Sequence, residues 1–71
     1  MNEKKYLIEL GKKIAELRKK KGWTQVEFAE KLKIQRTALT RIELGNVNST
    51  ISTLLNISKT LGITIDELVK L

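Results

Sequence analysis

The sequence predicts an all-α fold of five helices, and three observations carry that expectation. Apolar side chains recur three and four positions apart in successive windows, and no stretch alternates in twos as a half-buried strand would. Two Thr-x-x-Glu boxes, Thr24 to Glu27 and Thr64 to Glu67, have the form of helix starts, while Gly22, Gly45 and Gly62 stand where helices would stop. The 71 residues include no proline, so nothing in the chain forces a helix to break. A chain of this length forms a single domain, taken as residues 1–71.

The elements follow in order. The first helix is expected over about residues 5–21, with Leu7, Leu10, Ile14 and Leu17 on one side and lysines and glutamates between them. Lys19, Lys20 and Lys21 fall in its last turn, where the helix dipole favours cations, and Gly22 ends it. Thr24 caps the second helix, whose inner face is Phe28, Ala29 and Leu32. Lys33 and Ile34 make a turn. The third helix spans about residues 35–44, turns Ala38, Leu39 and Ile42 inwards and stops at Gly45. A polar loop with Asn46, Asn48 and Ser49 leads to Ser49 or Thr50 as the cap of the fourth helix. Ile51, Leu54, Leu55, Ser58 and Leu61 are assigned to the inner side of that helix, and Gly62 terminates it. Thr64 caps a short, strongly apolar fifth helix containing Ile65, Leu68 and Val69, with Leu71 after them.

Composition removes several functions. With no cysteine there is neither a disulfide nor a thiolate metal site, and with no histidine the commonest general base and metal ligand are missing. No paired arrangement of carboxylates, lysines or hydroxyls suggests catalysis, so no enzyme activity, metal or cofactor is expected. No apolar run approaches the ~20 residues needed to span a bilayer, and charges throughout residues 1–17 argue against a signal peptide. A soluble cytoplasmic protein without a membrane partner is the expectation. The charge is lopsided: residues 1–45 hold 12 Lys or Arg against 6 Asp or Glu, whereas residues 46–71 hold Lys59 and Lys70 against Asp66 and Glu67. The entire +6 excess thus lies with the first three helices. A basic surface attracts polyanions; a lysine-rich face can also serve only solubility.

The third helix concentrates the candidates for function. If Ala38, Leu39 and Ile42 face inwards, then Arg36, Thr37, Thr40 and Arg41 fall together on the opposite side. A major groove admits one α-helix; arginine can bond guanine O6 and N7 together, and threonine offers a hydroxyl and a methyl. The alternative is an ordinary solvated helix face. Gln25 opens the second helix, where its side chain and helix-terminal N–H groups can meet a phosphate, and Asn46 and Asn48 can do so beyond the third helix. Plain turn and capping chemistry is the alternative for these three.

The chain resembles the Cro/C1 (XRE-type) helix-turn-helix family, which includes phage repressors and many small bacterial regulators. The resemblance rests on Gly11–Lys12–Lys13–Ile14, Leu17–Arg18, Gly22, Thr24–Gln25, Phe28–Ala29, Arg36, Thr37, Leu39, Arg41–Ile42–Glu43, Gly45, Leu54 and Leu61–Gly62, and covers about residues 10–68. It implies a compact, lambda-repressor-like domain with helices two and three as the helix-turn-helix, binding double-stranded operator DNA as a symmetric homodimer. It implies that Arg36, Thr37 and Arg41 read bases, with Gln35 and Thr40 flanking them. It assigns Thr24, Gln25, Lys33, Asn46 and Asn48 to phosphates, with Gln25 also buttressing Arg36. It matches Arg18 and Glu43 to a largely buried salt bridge between the first and third helices, and requires a small Ala29 where the helix pair crosses. Three departures stand out: Lys33 fills a turn position where the family often has glycine, the loop before the fourth helix lacks the usual proline, and Trp23 replaces an aliphatic residue. Trp23 is expected to be partly buried, with core packing preferred over stacking on nucleic acid.

Assembly is the remaining expectation. Ile63, Ile65, Leu68, Val69 and Leu71 are more apolar than one face against a small core requires, so with Val47 in the loop they are assigned to a dimer interface; the alternative is that they complete a monomer core. The apolar last helix also suits an antitoxin-type module that docks a partner toxin. With no room for a ligand-sensing domain, regulation is expected through concentration, dimerisation, proteolysis or a partner protein.

Overall fold

The structure, a computed structural model, describes residues 2–71. Five helices follow one another: α1 Glu3–Lys20, α2 Gln25–Leu32, α3 Arg36–Leu44, α4 Ile51–Leu61 and α5 Ile65–Val69. No strand occurs among the described residues. Local chemistry accounts for the boundaries. Asn2 caps α1 by accepting from the Lys5 N–H at 2.8 Å, which starts the helix two residues before the periodicity does. Both capping boxes form: Thr24 accepts from the Glu27 N–H at 3.1 Å while Glu27 accepts from the Thr24 N–H at 2.9 Å, and Thr64 and Glu67 do the same. Of the two candidate caps for α4, Thr50 is the one used.

The core is one cluster, with Ile14, Phe28, Leu39, Ile57 and Leu68 fully enclosed and Leu10, Leu32, Leu54 and Leu61 around them. α1 lies against α3, and Gly11 makes that approach possible. A Cβ placed there would come within 2.4 Å of the Glu43 carbonyl oxygen. Gly45 serves twice, adopting φ 76° to end α3 and leaving room for the Ile8 backbone, which a Cβ would meet at 2.6 Å. Trp23 is partly buried and stacks on Phe28 with ring centroids 5.6 Å apart, while the Lys31 ammonium sits 4.8 Å above its ring.

Inner faces need correction at four positions. Ala38 is exposed, so only Leu39 and Ile42 of the expected α3 trio are buried. In α4, Ile51 is 66% and Leu55 47% exposed, whereas the unassigned Ile57 is fully buried. The buried stripe Leu54, Ile57, Ser58, Leu61 follows the i, i+3, i+4, i+7 rule, and Leu55 lies about 100° round from it. Ile51 has the right angular position but is the first residue of the helix. Buried Ser58 costs little because its hydroxyl donates to the Leu55 carbonyl at 2.9 Å.

The final helix is tied to the first by polar contacts that the sequence did not reveal. The Tyr6 hydroxyl donates to the Val69 carbonyl at 2.6 Å, and the Lys13 ammonium donates to the Glu67 and Lys70 carbonyls. These are the orphan acceptors of a helix C-terminus, where a cation is favoured. Asn56 closes α2 in the same way, donating to the Leu32 carbonyl at 2.9 Å. Among the described residues no helix is long and apolar enough to cross a membrane.

Candidate nucleic-acid interface

The α2–turn–α3 unit depends on Lys33. It ends α2 in the left-handed region, at φ 60°, ψ 41°, and is the only non-glycine residue with positive φ among the described residues. That conformation costs an L-residue about 1–2 kcal/mol. It is offset because the turn closes with hydrogen bonds from Lys33 N–H to the Glu30 carbonyl at 3.1 Å and from Ile34 N–H to the Ala29 carbonyl at 3.0 Å. Ala29, expected to be small, is buried.

Behind the unit lies a polar joint. Arg18 of α1 meets Glu43 of α3 through two parallel hydrogen bonds, Nε to Oε2 at 2.8 Å and Nη2 to Oε1 at 3.2 Å, with side chains only 9% and 6% exposed. Its third nitrogen, Nη1, donates to the Trp23 carbonyl at 2.9 Å, so the same guanidinium also holds the α1–α2 turn. Gln25 Nε2 adds a 2.8 Å bond to Glu43 Oε1. The Thr40 hydroxyl then donates towards Gln25 Oε1 at 3.2 Å and towards the Arg36 carbonyl at 3.0 Å. No buried side-chain polar atom among the described residues lacks a partner. Charges taken out of water in this way must be fully paired, and these are.

On the outer side of α3, Arg36, Thr37 and Arg41 are exposed, Gln35 is exposed at its N-cap, and Thr40 is half-buried. Among the described residues Arg18–Glu43 is the one salt bridge, so neither Arg36 nor Arg41 has a carboxylate partner. Since Glu43 is consumed inside, the exposed face of α3 carries positive charge alone.

The other assigned residues divide. Gln25 does not buttress Arg36: its amide is taken by Glu43 and Thr40, because the buried Glu43 carboxylate is the stronger acceptor for the amide N–H. Thr24 accepts in its capping box and Lys33 is exposed at the turn. Asn46 and Asn48 are exposed in the loop after α3, but Asn48 Nδ2 donates to Glu3 Oε2 at 3.3 Å and so leans towards α1. Hydrogen bonding from Thr24 backbone and side chain holds the Glu27 carboxyl below the usual carboxylate range. The interface assignments need a correction at Leu68, which is fully enclosed in its own core and has no surface for a partner. Ile63 and Ile65 are partly buried against that core, whereas Val47 and Leu71 are 40% and 55% exposed. The Gln25–Thr40–Glu43 connection was missed because its members lie 15 and 18 positions apart, beyond any helical or capping spacing.

A family model described as helix-turn-helix matches residues 14–68. Among curated proteins, the HTH-type transcriptional activator BcrR of Enterococcus faecalis is 39% identical over 61 residues, 86% of this chain and 30% of its own length. The uncharacterized HTH-type transcriptional regulator YqaE of Bacillus subtilis (strain 168) is 45% identical over 53 residues, 75% of this chain and 46% of its own. An immunity repressor protein of Bacillus phage phi105 is 37% identical over 62 residues, 87% of this chain and 43% of its own. The chain thus spans less than half the length of each of these relatives. Among solved structures, the restriction-modification controller protein C.AhdI from Aeromonas hydrophila superposes with a TM-score of 0.88 at 26% identity, covering 96% of this chain and 99% of that one. The hypothetical transcription factor NHTF from Neisseria shares the fold, with a TM-score of 0.87 at 24% identity over 99% of this chain and 80% of its own. With most of its length matched by one family and by regulators from that family, the chain belongs to the Cro/C1 (XRE-type) helix-turn-helix family of transcriptional regulators.

Proposed function

We propose that this domain binds duplex DNA sequence-specifically to regulate transcription, with α3 in the major groove and a roughly two-fold symmetric operator bound by a homodimer. The observation that carries the reading is the exposed face of α3: two guanidiniums without carboxylate partners, on a helix whose inner side is locked by Arg18, Glu43 and Gln25. Bidentate pairing with guanine is the chemistry this face offers. Thr24, Gln25 and Lys33 on one side, and Asn46 and Asn48 on the other, are the proposed phosphate contacts. They set position and carry no sequence information.

For the dimer, the exposed apolar residues Ile51, Leu55, Val47 and Leu71 support a surface on α4, the loop before it and the chain end. A two-fold pair would set its recognition helices about 34 Å apart, one turn of duplex. Selection of bound sequences from random duplex DNA tests the whole reading. A recovered site with two-fold symmetry supports it, an asymmetric site bound by a monomer removes the dimer, and no recovered site removes the DNA reading. Co-elution with a different small protein in place of self-association would move the chain to the antitoxin class.

A further inference from the structure

We infer that Thr40 is a specificity residue that reads an A·T pair through the thymine methyl group, because the Arg36 carbonyl and Gln25 together hold its hydroxyl proton. The inference rests on the proposed docking of α3 in the major groove. A threonine hydroxyl has one proton to give, and here two acceptors already share it: the Arg36 carbonyl at 3.0 Å and Gln25 Oε1 at 3.2 Å. Neither acceptor can exchange roles. The backbone carbonyl has no proton, and the Gln25 amide cannot turn over because its Nε2 faces the Glu43 carboxylate at 2.8 Å. Reversal would put amide oxygen against carboxylate oxygen. Glu43 in turn is fixed by Arg18. The direction of every hydrogen bond from Arg18 to Thr40 is therefore set by the buried ion pair.

The consequence is chemical. Thr40 has no donor for guanine O6 or N7, thymine O4 or adenine N7. What it retains are hydroxyl lone pairs and a methyl. On the major-groove edge of an A·T pair, adenine N6 is a donor and the thymine 5-methyl is apolar, so one pair offers both complements. A C·G pair offers a donor without the methyl. Of the residues on this face, Arg36 and Arg41 are donors only and suit guanine. Thr40 lies between them in sequence and supplies the opposite preference.

The test uses the duplex recovered by selection, with each thymine replaced singly by deoxyuracil, which removes only the 5-methyl group. For the native chain, one position per half-site should weaken binding about fourfold, the worth of one buried methyl-sized group, and other positions should change little. Thr40→Ser, which keeps the hydroxyl and drops the methyl, should be indifferent to uracil at that position. Thr40→Val, which keeps the methyl and drops the hydroxyl, should remain sensitive. Equal binding of all uracil duplexes by the native chain, or undiminished sensitivity in Thr40→Ser, overturns the assignment to Thr40 while leaving DNA binding intact. Recovery of no duplex at all overturns the DNA reading and this inference with it. The uracil arm changes only the DNA, so it does not depend on any variant folding.

Discussion

α3 and α4 are built on the same plan and turned to different ends. They have nine and eleven residues, and each buries one stripe containing a single polar side chain. In α3 that side chain is Glu43, which reaches Arg18 on α1 and Gln25 on α2. In α4 it is Ser58, which closes on its own helix at the Leu55 carbonyl. Directional bonds from two other helices therefore fix the rotation of α3 about its axis, while α4 is seated by apolar packing and by Asn56 at the end of α2. The exposed faces differ accordingly: Arg36, Thr37 and Arg41 on α3, Ile51 and Leu55 on α4. A helix that must present particular atoms at particular places gains from a polar joint, whereas one that offers only surface area does not need it.

The most damaging test of this contrast is Glu43→Ala. Leaving Arg18 buried without its partner is commonly worth about 3–5 kcal/mol, and in a domain this small the melting temperature should fall by more than about 10 °C. Ser58→Ala should leave the melt nearly unchanged. Replacing both charges, as Arg18→Met with Glu43→Leu, should recover much of the stability. If α3 is aimed by the joint, that double variant should bind DNA with a broader selected motif; a motif as sharp as the native one would show that packing alone aims the helix.

Arg36→Ala and Arg41→Ala should each cost about 1–3 kcal/mol in binding and relax preference at one base pair per half-site. Uniform loss across all sequences would make these arginines phosphate contacts instead. On the other helix, Leu55→Asp should weaken self-association by roughly tenfold, the equivalent of one partly buried apolar side chain. Sedimentation across a concentration series reads this directly, and an unchanged profile would take α4 out of the interface.

The smallest effect concerns the start of α2. Because the folded-state pKa of Glu27 is depressed, its contribution is fully present above the usual carboxylate range and is lost as the pH falls through the lowered folded value. Glu27→Gln keeps the hydrogen-bonding shape of the box without the charge. The native chain should melt slightly above this variant at neutral pH, and the gap should close in acid. A gap independent of pH would show that the charge contributes nothing.

Much of the contrast between the helices was legible in the chain itself, for reasons that operate over a few residues. Capping boxes at Thr24 and Thr64, the glycine stops and the apolar spacing of Leu10, Ile14, Phe28, Leu32, Leu39 and Ile42 are contacts within one or two turns, and they set five helices nearly where they lie. The turn at Lys33, where the family often has glycine, and the Arg18–Glu43 pair were expected from resemblance; no local rule links Arg18 and Glu43, 25 positions apart. Tertiary structure decided the rest. α4 rotated so that Ile57 replaced Leu55 in the core, because five apolar residues on an eleven-residue helix permit more than one inner face until a neighbour selects it. Leu68 went into the core because Tyr6 and Lys13 draw the end of α5 onto α1. Gln25 turned to Glu43 and Thr40 because a buried carboxylate is a stronger acceptor than anything on the surface, and only folding brings the three together.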